Sequence, residues 1–217
     1  RGIGAPLRTR LAQLPRKIRG TPGLVAAASV VAMIGLGGWI YYNTNIVNEY
    51  TTTLSREREQ ADYEKALIGY ENVPQPRISD VTLDVALYPG EPRAVTRGTY
   101  VIQNRTGKPL DEVHVRWLKP LQMTKLEVEG AKLKQEHIGQ DYRIYRFDRP
   151  MAPLEVRRIT FETLREQKGF RNSDNERRIV DNGTFLDNTE IAPMLGMSRD
   201  GLLQDRAKRR KHGLPPE

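Results

Sequence analysis

The longest apolar stretch of the chain restricts its possible folds more than any other feature. The run LVAAASVVAMIGLGGWIYY, from Leu24 to Tyr42, contains no charged side chain. At ~1.5 Å rise per residue, about 19 helical residues extend ~28 Å, which matches the thickness of a bilayer core. Trp39, Tyr41 and Tyr42 are residue types that collect at membrane–water interfaces. The run therefore predicts a retained transmembrane helix over residues 23–43.

Two other structures share this composition. A secretory signal peptide usually has an apolar region of ~7–15 residues followed by a small-residue cleavage site, whereas aromatic side chains follow here. A buried core helix would need a large domain around it, and the flanking residues do not provide one. Both stay open as alternatives to the transmembrane helix.

The basic residues of the chain are concentrated at its two ends. The formal net charge is +8. The terminal segments 1–22 and 206–217 together carry more positive charge than this, so the residues between them are slightly acidic. No aromatic residues alternate with the basic ones, as they would in a nucleic-acid groove. We therefore expect no nucleic-acid partner.

The basic N-terminal segment predicts the orientation of the span. Lys and Arg beside a transmembrane helix stay on the cytoplasmic side, so residues 1–22 are expected in the cytoplasm and the main domain outside it. In a Gram-negative cell this places the protein in the bacterial inner membrane with a periplasmic domain. The absence of cysteine is compatible with that location. Because the first residue is Arg1 and not Met, we expect the chain to be part of a longer protein.

A charged segment follows the span. Apolar residues recur at near-helical spacing from Val47 to Tyr70, which predicts a juxtamembrane helix within residues 44–73. Pro74 and Pro76 end it, because proline cannot continue a helical hydrogen-bond ladder. The charged face is expected to be solvated; a coiled-coil partner is the alternative, although the heptad is not sustained.

From Arg77 the hydrophobic pattern changes to alternation. RISDVTLDVALYP alternates apolar with polar residues, and five further segments do the same: TRGTYVIQNRTGKPL, DEVHVRWL, TKLEVEGAKL, DYRIYRFDRPM and LEVRRITFETLREQ. Six or seven half-buried strands at short spacing, without helices between them, predict an antiparallel β-sandwich over residues 77–196. A short helix and linker are expected over 197–217, with Ser198 or Asp200 as the cap. The predicted fold class is therefore mainly β.

The chain contains no recognisable catalytic motif. It lacks H-E-x-x-H, a phosphate-binding glycine-rich loop, a G-x-S-x-G elbow and any cysteine nucleophile. His114 lies on the polar phase of its strand, so we expect it to be exposed, and no second ligand lies at a useful spacing for a metal. Asp181 and Asp187 could act as an acid/base pair, but acids flanking an Asn-Gly pair favour turn chemistry. We assign no catalytic residue and no metal ligand.

Several stretches carry a resemblance to a known family, and they span residues 39–215. They include YYNTNIVNEY, YEKALIGYENVPQPRISDVTLDVALYPGEPRAV, PMAPLEVRRITFE, KGFRN, DNGTFLDNTEIAPMLGM and LQDRAKRRKHGL. Together they resemble large bacterial membrane proteins that join an ABC-type permease region to a periplasmic, aminopeptidase N-like (gluzincin) zinc metallopeptidase. The resemblance implies that permease helices precede this chain, that Leu24 to Tyr42 is the last span, and that the β-rich part is similar to the N-terminal saddle domain.

The same resemblance implies where the chemistry of the parent protein lies. The zinc and its ligands belong to a following thermolysin-like domain, so no cofactor is expected in this chain. The saddle domain lends one loop to the rim of the active-site cleft, where it receives the N-terminal amine of a peptide substrate. DNGTFLDNTE occupies the equivalent place, which makes Asp187, Asn188, Thr189 and Glu190 the candidate substrate-binding residues, presented by a turn at Asn182-Gly183. Alternatively, this loop only packs the sandwich against a helix.

Besides a transport accessory without peptidase activity, two functions follow from the sequence. The first is a membrane-anchored β domain that shapes the substrate cleft of a downstream hydrolase. Its expected partners are the lipid bilayer, the preceding permease helices, the downstream peptidase domain and a peptide substrate. The second is a bitopic periplasmic scaffold whose sandwich binds another protein through a strand edge.

Overall fold

The computed structural model describes residues 20–173 and 178–216, so most of the basic segment 1–22 lies outside the described residues. The described chain forms two compact units. The helical unit comprises residues 20–50 and 169–173, and the β unit comprises residues 51–168 and 178–216.

The helical unit is built around one apolar helix. Helix α1 covers Thr21–Tyr41 and continues as a π-helical turn over Tyr42–Val47. Among the described residues, it is the one helix long and apolar enough to cross a membrane, with a mean hydropathy of 1.9. In the turn, the side chains of Asn43 and Thr44 donate to the carbonyl oxygens four residues earlier, both at 2.9 Å. The carbonyl oxygen of Trp39 also accepts the backbone N–H of Tyr42, so backbone and side-chain donors together close the helix end.

Two short helices belong to the β unit. Helix α2 covers Thr53–Leu67, within the predicted segment 44–73, and a 3₁₀ turn follows it. Thr52 and Ser55 form a capping box at its start, in which each side chain bonds the other's backbone N–H. Helix α3 covers Arg206–Lys211 and is capped by Asp205. The predicted cap Ser198 instead begins a separate 3₁₀ turn.

Two antiparallel four-stranded sheets form the rest of the β unit. Sheet A has the order β1-β2-β7-β4, sheet B has the order β10-β3-β6-β5, and β8 pairs with β9. The strands are β1 Arg77–Tyr88, β2 Arg93–Gln103, β3 Leu110–Arg116, β4 Leu121–Val128, β5 Ala131–His137, β6 Tyr142–Met151, β7 Val156–Glu166, β8 Ile179–Val180, β9 Gly183–Thr184 and β10 Met194–Leu195.

The main core lies between the two sheets. Every second residue of β2 and β7 is buried, as expected for strands with one face toward a core. These residues meet the inner face of sheet B in one cluster that includes Tyr100, Val113, Tyr145, Phe147 and Phe161. The predicted mainly β fold with one long apolar N-terminal helix is confirmed.

One predicted strand is a hairpin. The segment TKLEVEGAKL contains the end of β4 and the start of β5, joined by a turn at Glu129-Gly130. Gly130 has φ +64°, a conformation that glycine adopts without a steric penalty. The apolar positions shift across the glycine, from Leu126 and Val128 to Ala131 and Leu133, and this break in the alternation marks the reversal.

Strand β1 is exposed along almost its whole length, so the expectation of half-buried strands is wrong there. Among the strands of the described residues it pairs with β2 alone, from Arg77 opposite Gln103 to Tyr88 opposite Arg93. Its apolar side chains lie opposite the buried residues of β2, but of these Leu83 alone packs against the main core. Val81 consequently remains 52% exposed.

Helix α2 covers the outer face of sheet B. Leu67 is fully buried against Tyr142 and Ile144, and Tyr63 and Tyr70 pack around them. His114 lies under this helix and has 0% exposure, so the expectation of an exposed strand histidine is wrong. The polar positions of a strand are exposed to solvent only when no second layer of structure covers that face of the sheet.

Candidate functional site

The loop between β8 and β10 is anchored to sheet A by its glutamate. The carboxylate of Glu190 contacts the guanidinium of Arg165 at 2.9 Å and that of Arg178 at 3.1 Å. The side chains of Glu190 and Arg165 are each only 9% exposed. Charge-assisted hydrogen bonds of this kind are stronger than neutral ones. Glu190 is therefore an internal anchor of the loop.

Asp187 shapes the turn that precedes the anchor. Its carboxylate accepts hydrogen bonds from the backbone N–H groups of Thr189 at 2.7 Å and Glu190 at 3.2 Å. The backbone N–H of Asp187 donates in return to Glu190 at 3.2 Å, which completes a capping box. The hydrogen bond from the Thr189 hydroxyl is the main reason that the pKa of Asp187 lies below its usual value.

The backbone after Glu190 is bonded into the sandwich. The hydroxyl of Thr163 donates to the carbonyl oxygen of Ile191 at 2.5 Å, and the hydroxyl of Tyr100 donates to that of Pro193 at 3.0 Å. Burial raises the pKa of Tyr100 to about 12, so this hydroxyl stays protonated. Ala192 between them is fully buried. Buried hydroxyls thus hold this part of the loop in one position.

The opposite side of the loop faces outward. Phe185 is 80% exposed, although large aromatic side chains are usually buried. Asp187 and Asn188 are also exposed, and Thr189 is half-buried. The loop therefore combines a fixed inner side with an outer side that carries an aromatic ring, a carboxylate and an amide.

The structure brings the four predicted substrate-binding residues together in one 3₁₀ turn, Asn188–Glu190, with Asp187 as its cap. Their contact with a substrate amine stays a prediction. The observed turn lies one residue earlier than the predicted turn at Asn182-Gly183. Val180 pairs with Gly183, which leaves Asp181 and Asn182 as the turn residues. Neither has a positive φ, so this is not the type I′ turn that an Asn-Gly pair favours.

A cleft of about 500 Å³ opens beside this turn. Its size is within the range of sites for small ligands. Its lining comes from α2, the end of β3 and the β3–β4 turn, the β5–β6 turn, the 3₁₀ turn Asn188–Glu190, and β10 with the segment after it. It includes Tyr63, Arg116, Trp117, Asp141, Thr189 and Asp200. This cleft could not be predicted from the sequence, because its lining residues are distant along the chain.

Two residues of the cleft have unusual environments. Asp141 adopts φ 50°, a left-handed conformation that is uncommon for residues other than glycine. Burial raises its pKa, which nearby Lys119 partly opposes. The Nε atom of Arg116 is buried and has no hydrogen-bond partner among the described residues. The cleft therefore carries a carboxyl group and a guanidinium group that are not paired with each other.

His114 belongs to a buried polar network beneath α2. Its Nε2 lies 2.9 Å from a carboxylate oxygen of Glu112, and its Nδ1 lies 2.6 Å from the hydroxyl of Tyr142. An ionised carboxylate only accepts, so Nε2 carries the proton and Nδ1 accepts from Tyr142. Burial lowers the pKa of His114, although the hydrogen bond with Glu112 opposes this shift. In the sequence, only the helical spacing of Tyr63, Leu67 and Tyr70 indicated a helix that could cover His114.

The described residues do not form a zinc site. No three His, Asp or Glu side chains within residues 20–173 and 178–216 converge in a way that could hold a metal ion. Both ring nitrogens of His114 are already used by Glu112 and Tyr142. The donor set of the β unit therefore does not fit zinc.

No protein-family profile and no curated protein matches the sequence. The fold comparison finds solved M1 zinc metallopeptidases at low coverage. One, from Deinococcus radiodurans, is 17% identical, with 47% of this chain and 24% of that chain covered and a TM-score of 0.35. A variant of a two-domain M1 zinc metallopeptidase bound to L-tryptophan is 16% identical, with 57% and 33% covered and a TM-score of 0.36. This chain spans only a quarter to a third of their length.

Proposed function

We propose that this chain is the membrane-anchored N-terminal β domain of a longer zinc metallopeptidase, and that its loop between β8 and β10 shapes the substrate cleft of a downstream catalytic domain. The sequence resemblance supports the family, including the ABC-type permease helices that would precede the chain. The β fold agrees with a saddle-like domain. We assign hydrolysis and zinc binding to the downstream domain, as the resemblance implies.

The anchored loop is the observation that carries this proposal. Glu190 is held by Arg165 and Arg178, whereas Phe185, Asp187 and Asn188 face outward. A site that receives a substrate must be held in place by its own scaffold if it is to fix the substrate's orientation. The exposed carboxylate of Asp187 and the amide of Asn188 are hydrogen-bond acceptors that suit a peptide ammonium group.

Helix α1 supports the membrane anchor. Its apolar side chains are exposed along its whole length, for example Ile34 at 66%, and a helix that stayed in water would bury such a face. The basic segment before it supports a cytoplasmic N-terminus and a periplasmic β unit in the bacterial inner membrane.

Charge removal at Asp187 in the parent protein tests the loop. Asp187→Asn keeps a good capping residue but removes the negative charge. We expect kcat/KM on peptides with a free N-terminus to fall by about 10-fold to 100-fold, since a hydrogen bond to a charged group contributes ~1.5–3 kcal/mol. Peptides with a blocked N-terminus should be affected less, and the melting temperature should not change.

The matched control is Asp181→Asn, which removes an exposed acid from the neighbouring hairpin turn. It should leave kcat/KM unchanged for both kinds of peptide. An equal loss on free and blocked peptides after Asp187→Asn would assign the loop to packing alone and would remove the amine site from this chain.

The scaffold function remains the second candidate because of β1. This twelve-residue strand forms the edge of sheet A, and among the described residues no strand pairs with its outer side. A long, exposed apolar edge is a common docking surface for another chain. The sequence of the gene beyond residue 217 separates the two candidates. An H-E-x-x-H motif with a later glutamate supports the peptidase. A stop codon soon after residue 217 supports the scaffold.

A further inference from the structure

A short segment from the C-terminal half of the chain packs on the end of α1. Gly169–Ser173 lies between β7 and β8 in sequence but belongs to the helical unit. The rings of Trp39 and Phe170 meet edge to face, with centroids 5.0 Å apart. This arrangement is favourable for aromatic pairs.

Hydrogen bonds fix the same segment to the residues after α1. The side-chain amide of Asn48 donates to the carbonyl oxygen of Phe170 at 3.3 Å and to that of Asn43 at 3.0 Å. The Nε of Arg171 donates to the side-chain oxygen of Asn48 at 3.1 Å. Asn48 therefore joins the segment to the helix end.

The backbone of the segment approaches the helix closely. Gly169 adopts φ +58°, and a Cβ at this position would collide with the side-chain oxygen of Asn43. Asn43 is only 7% exposed, in contrast to the exposed apolar residues that precede it. Glycine is required here both by its conformation and by the lack of space.

The contact with Trp39 places Phe170 at the end of the apolar helix. Trp39, Tyr41 and Tyr42 are 58%, 60% and 54% exposed, and aromatic residues at the end of a span occupy the membrane–water interface. Phe170 touches the first of these rings, so it lies at the same level along the helix. Arg171 follows it and is exposed, at a level where a cation can meet lipid phosphate groups.

We propose that Gly169–Ser173 is a second membrane-contacting segment, in which Phe170 enters the phospholipid interface beside Trp39 and Arg171 lies among the lipid phosphates. This proposal rests on the membrane span of the proposed function. It does not depend on the peptidase assignment. It adds a lipid contact far from α1 in sequence.

Single-tryptophan reporters in the full chain test the proposal. The chain contains two tryptophans, Trp39 and Trp117. Trp117→Phe leaves the reporter at position 39. A triple variant moves the reporter to position 170 and keeps an aromatic pair; it combines Trp39→Phe, Trp117→Phe and Phe170→Trp. Each variant is reconstituted in phosphatidylcholine vesicles with bromine atoms either near the headgroup or near the end of the acyl chain.

The control reporter is Phe185→Trp in the same double-phenylalanine background, because Phe185 is an exposed aromatic residue of the β unit. We expect shallow bromine atoms to quench the reporters at positions 39 and 170 to a comparable extent, deep ones to quench them less, and the reporter at 185 to keep its intensity. Gly169→Ala should reduce the quenching at 170. Gly107→Ala should not, since Gly107 also has a positive φ but no atom within 4 Å of an added Cβ.

The outcomes separate this proposal from the membrane span. Quenching at 39 together with an unquenched reporter at 170 would overturn the second contact and leave the span intact. An unquenched reporter at 39 would overturn the span itself, and the second contact with it.

Discussion

Glu64 of α2 and Arg209 of α3 form a buried ion pair with two parallel hydrogen bonds, Nη1 to Oε2 at 2.9 Å and Nη2 to Oε1 at 2.6 Å. The guanidinium also donates to the carbonyl oxygens of Leu203 at 2.6 Å and Pro215 at 2.9 Å. Two lysines of α3, Lys208 and Lys211, contact Glu57 of α2, about two helical turns before Glu64, both at 3.0 Å. The basic C-terminal stretch therefore docks on the acidic face of α2.

The first prediction concerns this pair. Glu64→Gln leaves the buried Arg209 without its counter-charge, and removal of one partner of a buried pair costs ~3–5 kcal/mol. We expect a large fall in the melting temperature of the full chain in detergent, measured by the β-sheet circular dichroism signal. Glu59→Gln, which affects the exposed Lys119–Glu59 pair on the same helix, should change it little. Equal effects of the two variants would contradict the role assigned to the buried pair.

A second prediction concerns packing between β2 and β7. An added Cβ on Gly98 would overlap the ring of Phe161, which is 2% exposed in the main core. Gly98→Ala should therefore destabilise the chain by ~1–3 kcal/mol, the usual cost of overpacking. Gly90→Ala is the control, because a Cβ there meets no atom within 4 Å. Urea unfolding of both variants tests this, and equal stability would show that the Phe161 ring can move aside at no cost.

The third prediction concerns pH. Burial lowers the pKa of His114 in the folded chain, so the unfolded chain takes up a proton at a higher pH, near ~6.5. The free energy of unfolding should consequently fall as the pH drops below this value. Protonated Nδ1 would also lose the hydrogen bond that Tyr142 donates to it.

The hydrogen bonds from Lys134 and His114 keep the pKa of Glu112 below its usual value, although burial opposes them. Glu112 thus stays ionised between pH 7.5 and pH 5.5, and its contribution to the free energy of unfolding is lost only in stronger acid. His114→Gln should remove most of the difference in melting temperature between these two pH values. An unchanged difference would mean that other groups cause the acid sensitivity.

Much of the fold could be predicted from local patterns. Alternation identified the strands because one face of each central strand, such as β2 with Tyr100 and Ile102, meets the core. Alternation does not specify strand order, so it could not show that β1 lies at an edge. It also could not reveal that α2 covers His114. The edge position of β1 and the cover over His114 both depend on contacts between residues that are distant in sequence.

The candidate site could be predicted only in part. The sequence predicted a turn at Asn182-Gly183, but it did not predict the capping box that Asp187 and Glu190 form. The partner of Glu190 could not be predicted, because Arg165 lies on β7 and its burial depends on how the loop folds over the sheet. Glu190 stays a predicted substrate contact, and its ion pairs make it an anchor of the loop as well.

The last prediction tests this anchor. Glu190→Gln keeps the size of the side chain but removes the charge that faces Arg165 and Arg178, so we expect a loss of ~1.5–3 kcal/mol. For a chain of this length, each kcal/mol corresponds to a shift of roughly 2–4 °C in the melting temperature. The control is Glu162→Gln on the same sheet, whose partner Arg97 has a side chain that is 69% exposed; this pair should contribute less than ~1 kcal/mol. A melting temperature that stays constant after Glu190→Gln, combined with reduced kcat/KM in the parent protein, would make Glu190 a substrate contact and would show that the hydroxyl contacts of Thr163 and Tyr100 are sufficient to hold the loop.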